Sequence, residues 1–285
     1  MQSKLAVSHI AWAPEQEPTI LSVLRQHGIS SIEIAPLRTF GLPAQATEQD
    51  VRSIAGRYAA AGVDLVSMQA LLFGSEGLAL FESVNSRHRM KEWLIAVGRV
   101  AGWCGVGPMV FGSPKNRWKG ELSHAQAMEI AVPFFREVGD ACAESGSCLV
   151  MEANPEAYGA DFCTTLSQAA ELVAAADSPG FRLHIDAGGL ALSGEDFAPV
   201  IRQAAPMIAH VHASQPNLAD WSEPHAVHDR LAHVLREIGY QGSVAIEMRM
   251  QEDVEGSVKM AVEKVRGIYG TGPRAARGEQ GMDIT

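Results

Sequence analysis

The sequence predicts an α/β protein folded as a single (β/α)8 TIM barrel, and three observations carry that prediction. Short runs rich in β-branched residues recur along the chain, each followed by a loop and then by a segment whose apolar residues return every three or four positions. Eight such units fit within 285 residues, a spacing of roughly 30 residues that suits one βα step. No GxGxxG or GxxxxGK(S/T) run follows any of the strands, so the open, doubly wound alternative lacks its usual glycine-rich first turn.

In chain order the strand candidates are LAVSHIAW (5–12), SSIEIAP (30–36), DLVSMQALL (64–72), PMVFGS (108–113), CLVMEANP (148–155), RLHIDAGG (182–189), MIAHVHAS (207–214) and SVAIEM (243–248). The helix candidates alternate with them: 18–28, 47–62, 86–105, 123–146, 165–177, 195–205, 225–239 and 254–270. Several of these close on a Gly just past the last apolar residue, where a left-handed C-cap costs least. No linker-like shift in composition interrupts the series, so 1–270 reads as one domain. Residues 271–285 carry Gly, Pro and charge with no apolar period, which predicts a loose tail or a segment ordered only by a neighbouring subunit.

Composition narrows the function. The chain is 47% hydrophobic and 20% charged, with a formal net charge of −10, and an acidic balance argues against a nucleic-acid partner. The opening MQSKLAVSHIAW is too brief an apolar run for a signal sequence or for the roughly 20 residues of a membrane span. Cys104, Cys142, Cys148 and Cys163 show no CxxC spacing. These features together predict a cytoplasmic protein with reduced thiols and no membrane association.

In such a barrel the active site lies at the C-terminal ends of the strands, where residues two apart point to the same side. The last four strands then present Glu152 with Asn154, His184 with Asp186, His210 with His212, and Glu247 with Arg249 beyond it. Glu152, Asp186, His212 and Glu247 form an ordered set of metal-binding side chains, one per βα unit. Three carboxylates buried together would each cost several kcal/mol uncompensated, so the set should hold a cation or shift its pKa values strongly upward. Three oxygen donors and one imidazole suit Mn²⁺ first, with Mg²⁺ or Co²⁺ as alternatives. His184 and His210, one layer deeper, are expected to pack behind the ligands and hydrogen-bond neighbours.

Other polar candidates come from the earlier strands. Lys115 and Arg117 follow the fourth strand and are placed to meet an anionic group, while His9, Glu33 and Gln69 stand near strand ends within reach of substrate hydroxyls. Trp12, Phe73, Phe111 and Trp118 are candidates for an apolar wall of the site.

Over residues 4 to 268 the chain resembles the xylose isomerase-like barrel superfamily, in the sugar phosphate isomerase/epimerase branch that includes the ketose 3-epimerases. The likeness rests on Glu152 in MEANP, Asp186 in HIDAGG, His212 in HVHASQPN and Glu247 in IGYQGSVAIEMR. It implies a metal-dependent enzyme acting on a small carbohydrate. Glu152 and Glu247 would be both ligands and the acid/base pair that moves a proton next to a carbonyl through an enediolate, and Asp186 and His212 would be ligands only. The branch commonly has a histidine three residues after the aspartate and an arginine after the histidine ligand, both touching sugar hydroxyls; here those places read Gly189 and Asn217. Asn217 is kept as a substrate-binding candidate, and Ala187, Gly188 and Gly189 suggest an open loop. The family's habit of pairing barrels makes a homo-oligomer possible.

Three other functions compete. A dehydratase or β-eliminating lyase acting on a keto sugar or keto cyclitol would share the enediolate start. An apurinic endonuclease needs a metal cluster with extra histidines, where this chain has Gln69, Phe111 and Gly189. A non-catalytic sugar-binding or partner subunit would have no need of two opposed glutamates.

Overall fold

A computed structural model describes residues 4–270; the segment 271–285, expected as a loose tail, lies outside the described residues. Eight parallel strands close into a barrel: β1 (Lys4–Ser8), β2 (Ser31–Ile34), β3 (Asp64–Met68), β4 (Pro108–Phe111), β5 (Cys148–Met151), β6 (Phe181–Asp186), β7 (Ile208–Ser214) and β8 (Ser243–Glu247). Each pairs with its neighbours in sequence, and β8 returns to β1. Every strand overlaps its candidate run, and most runs extend past the end of the strand into the chain at the barrel mouth.

The helices are α1 (Glu17–Gln26), α2 (Pro36–Phe40), α3 (Glu48–Ala60), α4 (Val84–Cys104), α5 (His124–Glu144), α6 (Leu166–Ala176), α7 (Ala187–Ser193), α8 (Phe197–Ala204), α9 (Val227–Glu237) and α10 (Val254–Tyr269). None among the described residues is long and apolar enough to cross a membrane. Their starts are chemically marked. Thr47 accepts from the Asp50 backbone N–H, and Ser123 and Gln126 cap α5 reciprocally, each cap contributing about 1 kcal/mol.

Two short helices, α2 and α7, were not expected from periodicity, and α7 corrects the reading of residues 187–189 as an open loop. Asp186 caps it, its Oδ1 accepting from the Gly189 N–H at 2.5 Å, and the Gly188 N–H donates to Ser214 Oγ at 2.9 Å. A Cβ on Gly188 would stand 2.7 Å from the Gln215 carbonyl oxygen. The glycine therefore serves close packing of α7 against the chain leaving β7.

Strand register sets the site. β6 and β7 slip between Leu183 and His184, after which His184 lies beside His210 and Asp186 beside His212. On the other side of β7, Ser214 pairs with Glu247. Between these inward residues, Ile185, Val211, Ala213 and Ile246 turn outward into the fully buried core shared with the helices. The period of two thus divides each strand into an apolar face that holds the barrel together and a polar face that fills its mouth.

Candidate metal centre in the barrel mouth

A cavity of about 400 Å³ opens at the C-terminal ends of the strands, within the size range of small-molecule sites. Glu152, Asp186 and Glu247 line it, as do the expected substrate contacts Gln69, Lys115, Asn154, Asn217 and Arg249. Asn217 and Leu218 both adopt left-handed backbone conformations, with φ of 57° and 54°. Such a conformation is strained for leucine, and strain of this kind gathers at working sites.

Potential ligand atoms of Asp186, His212 and Glu247 lie within 4.8 Å of one another, and His212 Nδ1 stands 3.1 Å from Glu247 Oε2. Asp186 is anchored through both oxygens, Oδ1 on the Gly189 N–H and Oδ2 on the Ser214 hydroxyl. Glu152 is outside that trio but lines the same cavity. Its Oε1 accepts from Asn154 Nδ2 at 2.9 Å, and its Oε2 lies against Gly112, where a Cβ would meet it at 1.8 Å. His184, His210 and His212 form a second close group beneath, all buried.

Electrostatics bears on what this cluster can hold. Burial, reinforced by the charges of Asp186 and Glu247, holds the Glu152 carboxyl well above the ordinary carboxylate range. Burial and Glu247 push Asp186 up to about 6. Burial also opposes charge on His212, but the Glu33 and Glu247 carboxylates outweigh it and hold that imidazole well above its usual pKa. If His212 carries its proton on Nε2, the side facing Glu33, then bare Nδ1 opposes a carboxylate, which is stable only with a second proton or a cation between them. Three carboxylates and one such imidazole fit a divalent ion.

The structure relocates several expected contacts. Arg117 is not a cavity-wall cation, because its guanidinium is fully buried and donates to the Phe111 carbonyl, the Glu152 carbonyl at 2.7 Å and Asn154 Oδ1 at 2.6 Å. Three buried acceptors draw the cation inward, so Arg117 orients Asn154 and, through it, Glu152. His9 is also buried, its Nε2 accepting from the Ala35 N–H. Trp12 is core, while Trp118, 67% exposed, is absent from the cavity lining; Phe73 and Phe111 do line it.

Glu33 was expected near a substrate hydroxyl. It lies instead at the floor, 0% exposed, under His210 and His212. Two further residues escaped the sequence reading. Ser214, two positions after His212, shares its face and was reachable from the strand period. Tyr158 lines the cavity and accepts from the Asn217 N–H at 2.8 Å; it reaches there from a loop turn that no periodicity marks.

A closed eight-stranded barrel with carboxylates and a histidine converging at its C-terminal mouth defines the class, a TIM barrel with a candidate metal centre. The chain belongs to the xylose isomerase-like TIM barrel family, whose model matches residues 21–268. No curated protein matches it by sequence. Among solved structures it is similar to an L-ribulose 3-epimerase, at 16% identity and a TM-score of 0.77 over 100% of both chains. It is also similar to the 3-keto-D-glucoside 4-epimerase of E. coli, at 16% identity and a TM-score of 0.75, covering 93% of this chain and 99% of that one. A third is the IolI protein with a bound zinc atom, at 17% identity and a TM-score of 0.71, covering 93% and 98%.

Proposed function

We propose that this protein is a divalent-metal-dependent carbohydrate isomerase or epimerase that removes and returns a proton next to a carbonyl, through an enediolate. The observation that carries the reading is that Glu152, just past β5, and Glu247, at the end of β8, line one cavity with Asp186, and that His212 stands against Glu247. Glu152, Asp186, His212 and Glu247 would hold the ion, Mn²⁺ ahead of Mg²⁺ or Co²⁺. Bound there, a divalent ion supplies Lewis acidity that lowers the barrier to removing a proton beside the carbonyl.

The chain's own residues do the rest. Glu152 and Glu247 serve as base and acid, a role that contributes typically 10²–10⁴-fold. Asn154, fixed by Arg117, holds Glu152 Oε1 and so sets the direction of the other oxygen. Gln69, Asn217, Lys115 and Arg249 are placed to hold hydroxyls, and the apolar wall of Leu71, Leu72 and Phe73 packs against C–H faces and limits water. The epimerases of a ketose and of a keto-glucoside among the similar structures support this substrate class.

The test is Glu152→Gln and Glu247→Gln. Each should lower conversion of a responsive keto sugar by at least about 10²-fold. Full activity in either variant would sink the two-glutamate mechanism.

A further inference from the structure

Glu33 of β2 is a carboxylate with no solvent contact, placed across the barrel from β7. Four side chains converge on it. Ser67 Oγ donates to Oε2 at 2.8 Å and Gln69 Nε2 to Oε1 at 2.8 Å. His210 Nε2 is 2.9 Å from Oε2, and His212 Nε2 is 3.0 Å from both oxygens. A carboxylate is acceptor-only with about four lone-pair sites, so this one is saturated, and every group that touches it must donate. Both imidazoles therefore carry a proton on Nε2.

We propose that Glu33 is a positioning residue for the metal centre: it fixes His212 with Nε2 protonated and so presents Nδ1 as the only nitrogen able to bind an ion beside Asp186 and Glu247. The geometry supports the direction, since Nδ1 faces Glu247 Oε2 at 3.1 Å while Nε2 faces the barrel floor. A protonated ring nitrogen cannot be a ligand, and a carboxylate on the far nitrogen both selects the ring orientation and raises the basicity of the near one. The same carboxylate engages the cavity wall. Gln69 Nε2 is spent on Glu33 and on Ser8 Oγ at 2.6 Å, which leaves the Gln69 carbonyl oxygen as the group offered to a substrate hydroxyl.

Replacement shows why an amide will not serve. Glu33→Gln keeps the shape but replaces one acceptor oxygen with an NH2 donor set among groups that donate, so fewer acceptor positions remain and the hold on the His212 Nε2–H weakens. This inference rests on the metal reading of the site. It is tested without substrate, on the full chain, with metal alone. Mn²⁺ affinity is measured by calorimetry for wild type and Glu33→Gln, and the His212 nitrogens are followed by ¹⁵N NMR in the Zn²⁺-loaded protein.

The expected result is a 10- to 100-fold weaker Mn²⁺ affinity in Glu33→Gln, and in wild type a metal-bound Nδ1 with a protonated Nε2. The wild-type spectrum needs no variant and stands even if Glu33→Gln does not fold. A Zn²⁺-bound Nε2 with the proton on Nδ1 would overturn the proposal, as would a folded Glu33→Gln with wild-type Mn²⁺ affinity; either leaves the metal centre itself intact. Wild type that binds neither ion would overturn both the proposal and the metal reading beneath it.

Discussion

Replacing Gly112 with alanine should separate catalysis from stability. Gly112 follows β4 without a left-handed backbone, so its side of the site is kept bare for proximity and not for conformation. A Cβ there would lie 1.8 Å from Glu152 Oε2 and 2.9 Å from its Cδ, whereas real Cβ contacts essentially never fall under 3.0 Å. The carboxylate oxygen must therefore retreat by at least about 1.2 Å, away from the position that Asn154 sets. Glu152 ends a flexible side chain, so the fold yields there cheaply, at about 1 kcal/mol for the hydrogen bond put at risk and a Tm lowered by a few degrees. A misplacement of about 1 Å in a reacting group costs about 10²-fold, or roughly 2.7 kcal/mol of barrier. Steady-state kinetics with a responsive keto sugar, alongside thermal unfolding, should thus show kcat/KM down about 10²-fold in a protein that remains folded. Activity within threefold of wild type would refute the placement of Glu152 as a reacting group.

Two other outcomes follow from the same geometry. Metal affinity should rise with pH, because Asp186, raised to about 6, and Glu152, raised well above its ordinary range, must both lose protons to bind an ion. An acid with a raised pKa weakens the folded, metal-free state as pH climbs from the ordinary 3.8 through about 6, on the order of 3 kcal/mol for Asp186. Added Mn²⁺ relieves this, so calorimetry should find proton release near pH 6, and the gain in Tm should be larger at pH 8 than at pH 5. A pH-independent affinity would contradict the assignment. Arg117→Met should lower stability by about 2 kcal/mol or more, since it strands buried acceptors, whereas Lys115→Ala should leave Tm unchanged; equal, small effects in chemical denaturation would mean that Arg117 is a surface cation after all.

What the sequence made legible was whatever followed a period. The eight strands, the main helices and the inward positions of Asp186, His212 and Glu247 all descend from spacing, because a strand alternates its faces whatever it packs against. Register was not legible: the slip between Leu183 and His184 that aligns Asp186 with His212 is a property of two strands together. Loops carried the other surprises. Ala187–Gly189 looked open because glycine promises freedom, yet Asp186 capping and the approach of Gln215 make it the packed first turn of α7. Arg117 looked like a loop cation placed for an anionic group because nothing in its neighbourhood in sequence reveals that Phe111, Glu152 and Asn154 turn three oxygens toward it. Glu33 was visible as a strand-end carboxylate, but its two imidazole partners lie some 180 residues away on β7, beyond any local pattern.

The most direct test of the proposed chemistry is proton NMR of the Mg²⁺-loaded protein in D₂O with a panel of keto sugars, free and phosphorylated, including L-ribulose, D-fructose and a 3-keto-D-glucoside. The account predicts loss of one carbon-bound proton signal next to the carbonyl, with an epimer or isomer growing in at the same time, and both stopping when the metal is removed by EDTA. Exchange that persists undiminished in EDTA, or an unsaturated or fragmented product in place of an epimer or isomer, would contradict it.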